Sequence, residues 1–341
     1  AGNPGDPTGN AAAGFDASGR GVHFVTNVRG GAAELAWMPV AGDAPPVFVP
    51  AYMPWDVTQF RLSRDGRRGA FVSNEEGISR LHLFDPRSRR FRQVKGLPQG
   101  VITDLHFSPD QSRLGMTLNT AQTPSDAYVL ELGRNPLKHK TLRRWTYSEV
   151  GGLNAGSFIE PQLFHYPTFD SAGDLPRDIP AFIYQPPGPG PFPVLVYLHG
   201  GPESQFRPVF SSIFQMWLKQ LGIAVIAPNV RGSLGYGSRY LALDDGYLRE
   251  DAVGDIGALL DWVAGQPQLD SSRVAMFGGS YGGYLALSAA THYSDRVRAV
   301  VNRVGITNFV TFLESTQDYR RDMRRFEYGD ERDPEMRAFL Q

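Results

Sequence analysis

Val274-Ala275-Met276-Phe277-Gly278-Gly279-Ser280-Tyr281-Gly282-Gly283-Tyr284 decides the fold. Its first four residues are a continuous apolar run of strand length, and residues 281–292 carry a helical pattern. Between them, residues 278–282 match Gly-x-Ser-x-Gly, the signature of a serine on a sharp strand-to-helix turn. Such a turn strains the serine backbone and crowds the positions two residues away, where Gly278 and Gly282 present no side chain. Ser280 Oγ is expected to stand above the sheet, with the following helix aiming backbone N–H groups at a developing oxyanion. Ser280 is therefore the candidate nucleophile.

Working outward, strands and helices alternate on both sides of this turn. Residues 194–198 and 223–227 read as buried strands, 210–220 as a helix, and 297–301 as a strand after the nucleophile helix. A helix over residues 248–265 places Val253, Ile256, Leu259, Leu260 and Val263 on one face. The pattern is that of a parallel sheet covered by helices on both faces, an α/β-hydrolase arrangement. His199-Gly200-Gly201-Pro202 follows the first strand of this region, where that fold draws its second oxyanion donor. A Pro- and Gly-rich passage over residues 143–190 reads as turns.

The N-terminal part has a different texture. Residues 15–27, 62–74 and 107–119 align without gaps, each with an apolar residue, a polar turn, an apolar strand and a closing Asn. A period in the forties with several short strands per unit is the pattern of a β-propeller. About three blades are present, against about 4 to 8 in closed propellers, so part of the propeller is expected to be missing. The domain assignment is residues 1–145 for a partial propeller and 146–341 for the hydrolase domain. The opening Ala1-Gly2-Asn3-Pro4-Gly5-Asp6 shows no signal peptide. Asp333-Pro334-Glu335 reads as the cap, first residue and acidic first turn of a helix that the chain leaves after about two turns, so truncation at the C-terminus is expected as well.

Composition sets outer limits. The 341 residues carry 34 Lys and Arg against 35 Asp and Glu, with no basic stripe suited to nucleic acid. Cysteine is absent, which excludes disulfides, thiolate metal sites and cysteine nucleophiles. The longest apolar runs are of strand length, short of the roughly 20 residues that span a bilayer. A soluble protein is expected, in the cytoplasm, the periplasm or outside the cell.

The segments Tyr197-Leu198-His199-Gly200-Gly201-Pro202, Asn229-Val230-Arg231-Gly232-Ser233-Leu234-Gly235-Tyr236-Gly237 and 278–284, preceded by propeller repeats, closely resemble the prolyl oligopeptidase family of serine peptidases. The His-Gly-Gly-Pro form looks most like its acylaminoacyl-peptidase branch. The resemblance implies a propeller capping an active site that admits short peptides. It implies oxyanion donors at the N–H of Tyr281 and in the 199–201 loop, preferably Gly201. It also places Phe309 and Phe312 where the family lines the pocket for the residue before the scissile bond.

A serine needs a base within about 3 Å, and in this fold the order along the chain is Ser, Asp or Glu, then His. The histidine after Ser280 is His292, about 18 Å further along the helix at 1.5 Å per residue, too far to serve. The catalytic Asp and His are expected beyond the end of this chain, and the fragment alone is expected to be inactive. His199 reads as a structural hydrogen-bonding residue of the oxyanion loop. His23, His82 and His106 read as blade-strand residues, and His139 and His165 as residues of connecting segments. Glu75-Glu76 reads as a hairpin turn and Asp244-Asp245 as a solvated loop. Residues 318–333 mix both charge signs and read as a salt-bridged face or a contact with the propeller.

The function expected is hydrolysis of short peptides through an acyl-enzyme on Ser280. The alternatives are an esterase for small acyl esters and a non-catalytic propeller and hydrolase-fold binding protein. No metal or organic cofactor is required, neither nucleic acid nor membrane is an expected partner, and oligomeric state is open, a homo-oligomer included.

Overall fold

A computed structural model of the chain describes residues 10–41, 44–49 and 53–341. The opening residues read for a leader lie outside them.

The repeats become blades. Each covers the end of a blade's first strand, a turn and its second strand. The first blade is β1 (Asn10–Phe15), β2 (Gly21–Thr26), β3 (Glu34–Pro39) and β4 (Val47–Phe48). The second is β5 (Asp56–Leu62), β6 (Gly69–Glu75), β7 (Ile78–Asp85) and β8 (Arg90–Gln93). The third is β9 (Gly100–Phe107), β10 (Arg113–Thr120), β11 (Asp126–Leu132) and β12 (His139–Arg144). Each is a four-stranded antiparallel sheet in sequential order. The turns of the second and third blades repeat one device: Ser63 Oγ donates to Asp65 Oδ1 at 2.8 Å, and Ser108 Oγ to Asp110 Oδ1 at 2.6 Å.

Blade faces are buried against neighbouring blades, as the repeat requires. Leu35 of the first packs with Phe60, Phe71 and Phe84 of the second, and Val72 and Leu81 of the second with Leu105 and Leu114 of the third. His23 lies against Phe60 with ring centroids 5.2 Å apart, and His82 stacks on Phe71 at 4.6 Å. Burial lowers both imidazoles to pKa values of about 4, so they are neutral core residues. His106 lies in β9, whereas His139 lies in β12 and His165 in the next strand, so the last two are strand residues and not connectors.

The second unit is one six-stranded sheet in the order β13-β14-β16-β15-β17-β18. Its strands are β13 (Gln162–Ala172), β14 (Leu175–Tyr184), β15 (Phe192–Leu198), β16 (Ala224–Pro228), β17 (Leu269–Gly279) and β18 (Ala299–Arg303). The passage read as turns therefore holds a long antiparallel hairpin, β13 with β14, and β14 runs antiparallel to β16; from β16 to β18 the sheet is parallel. Pro167, Pro176 and Pro180 disguised it; Pro167 is tolerated on the edge strand β13, and Pro176 and Pro180 of β14 precede the stretch 181–184 that pairs with β16.

Helices cover both faces. On one, α1 (Ser212–Gln220) buries Phe214 and Leu218 against Tyr184 and Val225. On the other, α3 (Asp251–Ala264) and α4 (Tyr281–His292) pack Ile256, Leu260, Tyr281 and Leu285 on Val194, Val196, Ile226 and Met276. A short α2 (Ser238–Leu241) precedes α3, and α5 (Phe309–Ser315), α6 (Asp318–Tyr328) and α7 (Pro334–Leu340) follow β18. Helix α1 starts two residues later than read because Ser211 caps it, its hydroxyl accepting from Phe214 N. Helix α3 starts at Asp251 because residues 246–248 form a separate 3₁₀ turn. Asp333 caps α7 as read, accepting from Glu335 N and Met336 N.

The two units meet along the stretch that follows His199-Gly200-Gly201. Asn74 and Asn119, the closing residues of two repeats, bond Gln205 Oε1 and Phe210 N, each at 2.7 Å. Arg207 donates from Nε to Gly77 O at 2.9 Å and from Nη2 to Ser79 Oγ at 3.1 Å. Glu76 lies in the β6–β7 hairpin turn, as read, and there meets His165 Nε2 at 2.6 Å.

Candidate active site

Strand β17 ends at Gly279 and α4 begins at Tyr281, leaving Ser280 alone on the turn with φ 54° and ψ −124°. A non-glycine residue there is strained by about 1 to 3 kcal/mol and persists only where surroundings impose it. Here they do. Ser280 N donates to Arg303 O at 3.0 Å, tying the turn to β18. A Cβ on Gly278 would lie 1.9 Å from Gly282 O, and one on Gly282 2.1 Å from Leu198 O, so the turn is seated directly on the end of β15. Ser280 itself is exposed.

The 199–201 loop leaves β15 beside it. A Cβ added to Gly200 would stand 3.3 Å from Ser280 Cβ and 3.0 Å from Gly279 O, so the backbone passes at the closest approach glycine permits. His199 is buried, with Nδ1–H donating to Gly200 O at 2.8 Å and Nε2 2.9 Å from Ser233 Oγ. Burial lowers its pKa, and it holds the loop as a neutral structural group. The N–H of Tyr281 belongs to the first turn of α4, where a helix offers no carbonyl partner. Ser280, Tyr281 and the Gly200-Gly201 backbone thus converge.

Beneath them lies a polar cluster that sequence reasoning missed. The Tyr281 side chain is fully buried, its hydroxyl donating to Asp244 Oδ2 at 2.8 Å. Asp244 also pairs with Arg249, each 1% exposed, so the reading of Asp244 as a solvated loop residue is corrected. Gly232 makes room for it, because a Cβ there would fall 2.1 Å from Asp244 Oδ1. Burial raises the Asp244 pKa to about 6 against the pull of Arg249. Tyr328 OH donates to Gly201 O at 3.1 Å.

Phe309 is buried, its ring centroid 4.8 Å from Tyr284 and 5.1 Å from Tyr328, and half-buried Phe312 meets Tyr328 edge-on at 5.5 Å. Both therefore stand behind Tyr328. His292 ends α4 half-exposed, 3.7 Å from Glu250 Oε2, remote from Ser280 as its place in the helix dictates. Residues 318–333 form the salt-bridged face expected, with Arg324 on Glu327 and Arg325 on Asp322 and Glu331. Their buried contacts are with Arg249 and α5 of the same unit, in place of the propeller contact considered. A second buried ion pair, Arg231 with Asp255, carries the 229–237 segment, its Nη2 2.7 Å from Asp255 Oδ1. Among the described residues, no group of three or more His, Cys, Asp or Glu could hold a metal ion.

Residues 208–339 match the sequence profile of the prolyl oligopeptidase family. Human acylamino-acid-releasing enzyme is 32% identical over 142 residues, covering 41% of this chain and 19% of that enzyme. Dipeptidyl peptidase family member 6 of Caenorhabditis elegans is 26% identical over 295 residues, covering 80% of this chain and 37% of that protein. Over residues 208–339 the chain is similar to the prolyl oligopeptidase family. The fold agrees. A solved puromycin hydrolase superposes with a TM-score of 0.80 at 21% identity over 96% of this chain and 50% of that one. The acylaminoacyl peptidase of Pyrococcus horikoshii gives 0.74 at 20% over 97% and 50%. The arrangement is an α/β-hydrolase domain preceded by propeller blades. The chain thus spans about half the length of these solved structures and a smaller share of the curated relatives. No helix among the described residues is long and apolar enough to cross a membrane.

Proposed function

We propose that this chain supplies the nucleophile and oxyanion hole of a serine-type peptidase acting on short peptides. The observation that carries the reading is the strained Ser280 turn packed so close to Gly200 that a Cβ added there would stand 3.3 Å from Ser280 Cβ. Ser280 Oγ attacks the scissile carbonyl and gives its proton to a histidine base; the N–H groups of Tyr281 and Gly201 hold the resulting oxyanion. The C–N bond then breaks, the amine leaves with the proton from that histidine, and water releases the acyl group by the same steps in reverse. His292 ends α4 remote from Ser280, and both ring nitrogens of His199 are engaged, by Gly200 O and Ser233 Oγ, so neither serves as its base. The reading requires an Asp and a His to complete the triad at Ser280. Phe309 and Phe312 shape the pocket for the residue before the scissile bond through Tyr328, against which both rings rest. Peptides are favoured over esters because the family members it matches include an acylamino-acid-releasing enzyme and a dipeptidyl peptidase.

The test is turnover by the full-length protein on acylaminoacyl, dipeptidyl and internal-peptide p-nitroanilides and on p-nitrophenyl acetate. Peptide substrates are expected to give the larger kcat/KM, and Ser280→Ala to abolish it. An ester preference would move the assignment to an esterase, and absence of turnover on all of them to a binding protein.

A further inference from the structure

Both proposed oxyanion donors are held from below by one buried cation. Arg249 is 1% exposed and reaches four partners. Its Nη1 donates to Asp244 Oδ2 and, at 3.2 Å, to Tyr281 OH; its Nη2 donates to Glu327 O at 2.6 Å. Its guanidinium also lies 5.2 Å from the Tyr281 ring centroid and 4.7 Å from that of Tyr328. Tyr281 carries one donor N–H. Tyr328 holds the carbonyl of Gly201, which carries the other.

We propose that Arg249 and Asp244 are positioning residues, a buried charge clamp that sets the spacing of the two oxyanion donors across the nucleophile turn. The proposal rests on the hydrolase reading above. Geometry argues for it, because the clamp ties together four stretches distant in sequence: the 199–201 loop, the segment from Gly232 to Arg249, the start of α4 and the end of α6. Energetics argue that it is not there for stability alone. Asp244 Oδ1, Arg249 Nε and Glu327 Oε1 are buried without a hydrogen-bond partner. A buried ion pair left under-satisfied in this way is commonly matched or bettered in stability by apolar residues of similar volume. Neither side chain reaches the reacting atoms; both act through Tyr281 and Tyr328. Fixed donors stabilise a transition state because they need no reorganisation as charge develops, and a small misplacement lowers kcat without weakening ground-state binding.

The experiment compares the full-length wild type with the double variant Asp244→Asn/Arg249→Met, which removes both charges and leaves neither buried alone. Measured are kcat, KM, thermal midpoint and the inhibition constant of a peptide aldehyde, whose adduct places an oxyanion in the hole. The clamp predicts kcat lowered by about 10-fold or more, KM within about twofold, and aldehyde affinity weakened in proportion to kcat. A kcat within about twofold of wild type, or a loss of kcat with aldehyde affinity unchanged, would overturn it. If the double variant does not fold, Tyr281→Phe replaces it; that change removes only the hydroxyl on Asp244, and the same proportional loss is expected, by about 3-fold or more. A wild type without turnover and without fluorophosphonate labelling at Ser280 sinks the hydrolase reading itself. An active wild type with unaffected variants sinks only the clamp.

Discussion

The hydroxyl of Tyr328 donates to the carbonyl of Gly201 at 3.1 Å, so the end of α6 fixes the loop that borders the nucleophile turn. Tyr328 is also the ring on which Phe309 and Phe312 rest. Tyr328→Phe keeps those contacts and removes the hydrogen bond. It should cost about 1 kcal/mol in chemical denaturation and lower kcat by roughly 3- to 10-fold at similar KM. Unchanged kcat would show that Gly201 holds its place without Tyr328.

The strain at Ser280 is measurable apart from catalysis. With φ 54° and ψ −124°, the position suits glycine better than alanine or serine. Both Ser280→Ala and Ser280→Gly should be inactive, but the glycine variant should be about 1 kcal/mol more stable than the alanine variant in urea unfolding. Equal stabilities would mean that the turn is not strained.

The seat of the turn admits no side chain. Gly282→Ala would bring a methyl group to within 2.1 Å of Leu198 O, a backbone atom that cannot swing aside. The variant should lose more than about 3 kcal/mol of stability or fail to fold, as judged by its circular dichroism melt. A melt within a few degrees of wild type would show the packing of α4 on β15 to be looser than described.

Stability should depend on pH through Glu327. Burial raises its pKa from 4.5 to about 7, against the opposing pull of Arg324. A carboxyl raised on folding favours the folded state fully below its unfolded pKa, and that contribution is lost as pH rises through the folded one. Glu327→Gln removes the titration, so the variant should gain on wild type between pH 5 and pH 8, by at most about 3 kcal/mol. Parallel thermal midpoints across that range would contradict the shift.

Arg207 bridges the propeller and the hydrolase unit. Burial lowers its pKa to about 10, while Gly77 O and Ser79 Oγ accept its hydrogen bonds. Arg207→Ala leaves those acceptors unmatched and should cost about 2 kcal/mol, with faster limited proteolysis between residues 145 and 162. Wild-type protease resistance would place the coupling of the units elsewhere.

How much of this was legible in the sequence follows from how local each signal is. The Ser280 turn is encoded within a few residues, and α4 runs over the residues that its pattern predicts. Blade turns repeat the same serine and aspartate, which makes the strand pairs readable. The β13–β14 hairpin was hidden because its prolines mimic turn signals, and only the fold shows that they fall on the edge strand or outside the 181–184 stretch paired with β16. Asp244, Arg249 and Tyr328 carried no periodic signal. Charged residues in an irregular segment read as solvated, and only the fold reveals that Gly232 admits Asp244 to a buried position beside Tyr281. The nearest sequence hint was Gly232 itself, within a segment that the family resemblance singled out.

The central claim is that Ser280 is an activated nucleophile in the complete polypeptide. A fluorophosphonate probe, with intact mass and peptide mapping to locate the label, tests it on the full-length protein, its Ser280→Ala variant and the 341-residue chain. Stoichiometric labelling at Ser280 in the full-length protein, absent from the variant and from the 341 residues alone, is the predicted result. A folded full-length protein that stays unlabelled, or is labelled equally after Ser280→Ala, would contradict it.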